Sequence, residues 1–145
     1  MELYYRSTRD PNVKVTASQA ILQGLSRDGG LFVPERIPAL ETDPDKLAGM
    51  NYREIAYDVM RLFLTDFSGE ELRRCIESAY DEKFDVPQIA PLHRTGNVWY
   101  MELFHGRTIA FKDMALSILP YLMTTAAAKN AVTDEIVILD RKSVV

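Results

Sequence analysis

A chain of 145 residues holds one ordinary domain, or a small domain with part of a second. Its 47% apolar and 26% charged residues exclude a disordered tail, and its net charge of −4 excludes the broad basic surface that nucleic acid requires. No apolar run approaches the ~20 residues of a bilayer span, and a single cysteine, Cys75, excludes an internal disulfide.

The opening MELYYRSTRD lacks the apolar core of a secretory signal, so a cytoplasmic protein is expected. Leu3–Tyr5 reads as a short strand, and Ser7-Thr8-Arg9 after it as a solvated turn or an anion site. Thr16-Ala-Ser-Gln19 has the form of a capping box, in which the hydroxyl accepts an amide and the glutamine reaches back. The helix it starts places Ala20, Ile21 and Leu25 near one face and ends near Gly24. Asp28-Gly29-Gly30 is a turn, and Leu31-Phe32-Val33 a buried extended segment stopped by Pro34. Four Pro and Gly residues between Pro34 and Met50 predict loop with little regular structure.

Two amphipathic helices follow. Asn51 and Glu54 begin the first, and Ile55, Ala56, Val59, Met60 and Phe63 keep its 3.6 period. Ser68 and Glu71 begin the second, with Leu72, Cys75, Ile76, Ala79 and Tyr80 on one face; Cys75 is thus expected to be a core thiol. Pro87 and Pro91 mark a connector, Val98–Met101 a strand, and a long helix is predicted from about Asp113 to Lys129, kinked or broken at Pro120. Glu135–Leu139 reads as a further buried strand. Residues 1–85 are thus expected to form a helix-rich domain, and residues 86–145 a strand–helix–strand that is the incomplete start of an α/β domain.

The chemistry-bearing residues gather in LFHGRTIAFKDMAL, residues 103–116. Lys112 stands at the positive end of the following helix and beside Phe111, Met114 and Ala115. Apolar neighbours and that dipole both disfavour an ammonium, and a free amine can attack an aldehyde. A solvated helix-end lysine is the plainer alternative. Asp113 balances Lys112 or simply complements the helix dipole. His105 shapes the site or is an ordinary loop histidine. Neither His105 nor His93 has a ligand at metal spacing, so no metal is expected. The segment is not a P-loop, which needs Gly directly before Lys.

Two blocks together resemble threonine synthase. The first is YYRSTRD…ASQAILQGLSRDGGLFVPERIP, residues 4–38; the second is ELFHGRTIAFKDMA, residues 102–115, similar to the family signature Glu-Leu-Phe-His-Gly-Pro-Thr-x-Ala-Phe-Lys-Asp. The resemblance implies an α/β fold in two parts. An α+β N-terminal domain is followed by the start of a type II, tryptophan-synthase-β-like domain that binds pyridoxal 5'-phosphate. It implies a Schiff base between that cofactor and Lys112, which then carries protons, and a contact of Phe111 with the cofactor ring. The implied reaction converts O-phospho-L-homoserine and water to L-threonine and phosphate, through loss of the α and β protons, departure of the γ phosphate and addition of water at Cβ.

Two departures stand out. Arg107 replaces the family's proline, and after Ile136-Val-Ile-Leu139 the chain reads DRKSVV where the family continues Ala-Thr-Ser-Gly-Asp-Thr-Gly. A truncated or frameshifted chain, inactive by itself, is therefore expected. The competing readings are a non-catalytic helical interaction domain, and a threonine-synthase-like phospholyase for another phosphorylated amino acid.

Overall fold

The computed structural model describes residues 2–137. Three strands open the fold: β1 (Tyr5–Ser7), β2 (Lys14–Val15) and β3 (Phe32–Pro34), in an antiparallel sheet of order β2-β1-β3. The first strand begins two residues later than expected, because Leu3 is buried as an anchor whose N–H donates to Thr65 Oγ1 at 2.9 Å. Between β2 and β3 runs α1 (Ala17–Gln23), which closes at Gly24 with φ +69°. Its Thr16–Gln19 capping box is formed in both directions. Its packing face differs from expectation. Ala17 and Ser18 are buried, Ile21 and Leu22 lean on the core, and Leu25 lies past the helix end and is exposed.

Residues 31–33 are extended but not buried. Leu31 and Val33 both face solvent, since among the described residues nothing covers that side of the small sheet. A short helix, α2 (Pro44–Ala48), interrupts the stretch expected to be loop. Pro44 stands in its first turn, where a missing N–H breaks no bond, and Asp43 caps it by accepting from Asp45 N at 2.8 Å. There the proline starts a helix.

The core is built by α3 (Tyr52–Phe63) and α4 (Gly69–Ala79), each opened by a complete capping box. Leu72, Cys75, Ile76, Ala79 and Tyr80 of the α4 face are buried as the 3.6 period predicts. Cys75 is the expected core thiol, with its Sγ 3.4 Å from Thr125 Oγ1. The predicted long helix is two helices, α5 (Asp113–Leu116) and α6 (Leu119–Lys129), broken just before Pro120, which falls in the first turn of α6. Ile118, Leu122 and Ala126 then complete the core against α4.

The strand at Val98–Met101, here β5, is formed, but its partner is β4 (Leu92–Thr95) in an antiparallel hairpin. Gly96, with φ +60°, takes the first position of the two-residue turn, a conformation that glycine adopts without strain. No strand forms over residues 135–137, and the rest of the expected last strand, from Ile138 on, lies outside the described residues. Among the described residues, the stretch from Leu92 to Lys129 is a hairpin followed by two helices. Local pairing across a tight turn satisfies the backbone groups of β5 without a distant parallel neighbour.

Candidate functional site

The segment from Glu102 to Leu116 joins the hairpin to the core, and three side-chain arrangements hold it. Asp113, only 6% exposed, accepts from Thr108 N and from Thr108 Oγ1, each at 2.7 Å. This ties the first residue of α5 back across the turn, in the manner of a local carboxylate cap. Gly106 makes room for it, since a Cβ there would lie 2.5 Å from the Asp113 carboxylate. Between these points Ile109 takes φ +60°, a costly conformation for a β-branched residue that the surrounding bonds maintain.

His105 forms the second arrangement. Its Nδ1 is 2.6 Å from Asp85 Oδ1 and its Nε2 2.9 Å from Glu102 Oε2. The hydrogen bond to Glu102 is the largest influence and raises the imidazole pKa above its ordinary 6.5; burial opposes it, and the bond to Asp85 and the charges of both carboxylates add to the rise. In the third, Tyr80 Oη donates to the carbonyl of Met114 at 2.8 Å, pinning α5 to the core. Tyr80 itself is 2% exposed and packs edge-on to Tyr52, and burial drives its hydroxyl pKa upward.

Lys112 emerges from this frame at the residue before α5. Among the described residues its Nζ has no ion-pair partner. It lines an apolar groove of about 740 Å³ together with Leu92, Met101, Leu103, Phe111 and Met114. Phe111, three-quarters exposed, shares that groove. A primary amine on an apolar wall can form a covalent bond to an aldehyde and let the aldehyde's ring pack beside it.

The other sequence candidates separate from this site. Asp113 is committed to Thr108 and does not pair with Lys112. His93 lies on β4 opposite Tyr100, and Arg107 is exposed. In Ser7-Thr8-Arg9 the Ser7 hydroxyl is buried against the Asp28 carboxylate at 2.8 and 2.9 Å, and Arg9 Nη1 donates to the Asp28 carbonyl. The amide of Gly30 and the Ser7 hydroxyl hold the Asp28 pKa below the usual range. Among the described residues no group of metal-ligating side chains converges, and no helix is long and apolar enough to cross a membrane. Sequence reasoning missed Asp85, Glu102, Thr108 and Tyr80. Only two carried a local signal, Glu102 three residues before His105 and Thr108 five before Asp113.

Comparison with known proteins gives the relationship. The family described as threonine synthase N terminus matches residues 4–80, more than half of the chain. Threonine synthase of Pseudomonas aeruginosa is 37% identical over 129 residues, covering 87% of this chain and 27% of that protein. Human threonine synthase-like 1 is 40% identical over 121 residues, covering 78% of this chain and 16% of that one. The crystal structure of PLP-bound threonine synthase from Brucella melitensis superposes with a TM-score of 0.79 at 32% identity, covering 89% of this chain and 28% of that one. The chain thus spans about a quarter of the length of the threonine synthases it matches. Its mixed helix-and-strand architecture follows theirs, and the chain belongs to the threonine synthase family.

Proposed function

We propose that this chain is the lysine-bearing N-terminal part of a threonine synthase, acting on O-phospho-L-homoserine, and that Lys112 is the residue that holds pyridoxal phosphate. Residues 1–85 form its helix-rich domain, and residues 86–145 begin the cofactor domain. The observation that carries this reading is the Lys112 amine opening onto an apolar groove at the start of α5, inside the segment similar to the family signature. The residues present fit the cofactor in kind: an amine without an ion-pair partner among the described residues suits an aldehyde, and Phe111 and Leu103 offer apolar surface for a ring. When bound, pyridoxal phosphate supplies an electron sink for the carbon skeleton of the substrate. Lys112 Nζ would hold the cofactor covalently and then move the proton at the substrate's α carbon. Phe111 would orient the ring and keep water from it. Asp113, Thr108 and Tyr80 act before chemistry, by fixing the backbone from which Lys112 projects.

The buried, unbridged thiol of Cys75 accords with a reducing, cytoplasmic setting. Because the chain spans about a quarter of its threonine synthase relatives, we infer that it has no turnover by itself. With pyridoxal phosphate and O-phospho-L-homoserine it is expected to release neither phosphate nor threonine; threonine formation by the 145-residue chain would refute that. The function itself is tested by a chimera, with this chain replacing the matched segment of the Pseudomonas aeruginosa enzyme. The chimera is expected to form threonine, and its Lys112→Ala variant to lose both turnover and the borohydride-stable pyridoxyl label. Retention of both would remove Lys112 from its role. Offering the chimera other phosphorylated amino acids distinguishes a threonine synthase from a related phospholyase, a distinction raised by the similarity to human threonine synthase-like 1.

One observation favours a second reading. All eight strand residues of the β4–β5 hairpin are exposed, among them Leu92, Val98, Trp99 and Met101, as in a surface that binds another protein. A non-catalytic interaction module would self-associate or capture a partner through this hairpin, and would show no label on Lys112.

A further inference from the structure

The loop that delivers Lys112 is tied at one imidazole. Ionised carboxylates only accept hydrogen bonds, and a neutral imidazole carries one N–H. The 2.6 Å contact of His105 with Asp85 and the 2.9 Å contact with Glu102 can therefore both be hydrogen bonds only when the ring carries two protons. The ring is about one-tenth exposed and lies against Phe104, with centroids 4.6 Å apart. Backbone reinforces the tie, for Asp85 N donates to the His105 carbonyl at 3.1 Å. Asp85 belongs to the connector after α4, and Glu102 follows β5. These two carboxylates are the charges that act on the ring. The nearest acid of α5, Asp113, is instead engaged by Thr108.

We propose that His105 is a positioning residue: as an imidazolium it clamps Asp85 of the connector to Glu102 at the end of β5, and so fixes the turn that presents Lys112 to its groove. This rests on the reading of Lys112 as the cofactor-bearing residue. Loss of one ring proton leaves a bare nitrogen lone pair facing a carboxylate oxygen, so one arm of the clamp repels. The His105 end of the turn then loosens, and Lys112 shifts with it about the end that the Asp113–Thr108 and Tyr80–Met114 bonds still hold. Because both carboxylates favour the charged ring, this opening falls above the ordinary histidine range.

The test uses the 145-residue chain without cofactor. Nitrogen NMR of the His105 ring should show both nitrogens protonated below a midpoint that lies above ~6.5. Reductive methylation with formaldehyde and cyanoborohydride then compares Lys112 with the exposed Lys46 across pH. The Lys112-to-Lys46 reactivity ratio should step at the His105 midpoint. Glu102→Gln should lower that midpoint and carry the step to lower pH with it; Asp85→Asn should do the same to a smaller degree. Three results would overturn the proposal: a ring with only one protonated nitrogen while both carboxylates are ionised, a ratio that passes smoothly through the midpoint, or a step that stays put when Glu102→Gln moves the midpoint. Since no cofactor enters, these outcomes are separate from the fate of the pyridoxyl label on Lys112, which tests the underlying reading.

Discussion

Gly106→Ala should damage this fold far beyond the size of one methyl group. The new Cβ would stand 2.5 Å from both Cβ and Oδ2 of Asp113, well inside van der Waals contact. Asp113 is buried, so it cannot swing away without leaving Thr108 N and Oγ1, each now 2.7 Å from its carboxylate. Overpacking alone costs about 1–3 kcal/mol. A hydrogen bond to a charged acceptor contributes about 1.5–3 kcal/mol, partly recovered here because Thr108 can turn to water. A net loss of about 3 kcal/mol is expected in urea unfolding of the 145-residue chain. Gly49→Ala is the control: its nearest non-neighbouring heavy atom lies 3.6 Å away, and the change should stay within about 0.5 kcal/mol. The whole effect sits at the contact between residues 106 and 113. Gly106→Ala should therefore be nearly silent when made on top of Asp113→Gly, which removes the Cβ and the carboxylate alike, as a double-mutant cycle measures. A loss under about 1 kcal/mol, or the same loss in the Asp113→Gly background, would refute it.

Ser68→Ala removes the acceptor for Glu71 N at 3.2 Å and should cost about 1 kcal/mol in urea unfolding, with little change elsewhere. Tyr80→Phe keeps the ring packing but leaves the Met114 carbonyl without its 2.8 Å donor; a loss of about 1 kcal/mol is expected, with faster amide exchange in α5 than in α4. Stability should also depend on pH from both sides. The raised His105 pKa contributes stability that is fully present below 6.5 and is lost as pH rises through the folded value. The lowered Asp28, Asp58, Glu71 and Asp81 pKa values contribute stability present above the ordinary carboxylate range and lost as pH falls through their folded values. Urea midpoints across pH should thus peak between the two ranges, and a curve rising steadily to alkaline pH would contradict this.

The features legible in the sequence were those set by neighbours in the chain. Three capping boxes are visible as a hydroxyl or amide followed three residues later by Gln or Glu, and all three form. The buried face of α4 follows from its period, and the break before α6 from Pro120. Pro44 does not announce its helix in the sequence, because a proline that opens a helix and one that ends it look alike without the cap at Asp43. The pairing of β5 is hidden in the sequence because its partner, β4, consists of the mixed residues Leu92-His-Arg-Thr95 and shows no strand pattern of its own. Exposure of Leu31 and Val33 depends on what packs over a sheet, which no local pattern records. At the candidate site Lys112 and Phe111 stood out, whereas the clamp on His105 depends on Asp85, twenty residues earlier.

The central claim is that Lys112 is chemically set apart from the other lysines of the chain. Reaction with limiting pyridoxal phosphate, reduction with borohydride and peptide mass mapping measure this directly. The pyridoxyl group is expected on Lys112 ahead of the exposed Lys14 and Lys46, because only Lys112 of the three opens onto the apolar groove that can hold the ring. A label spread evenly over the three, or concentrated on Lys14 or Lys46, would contradict the account.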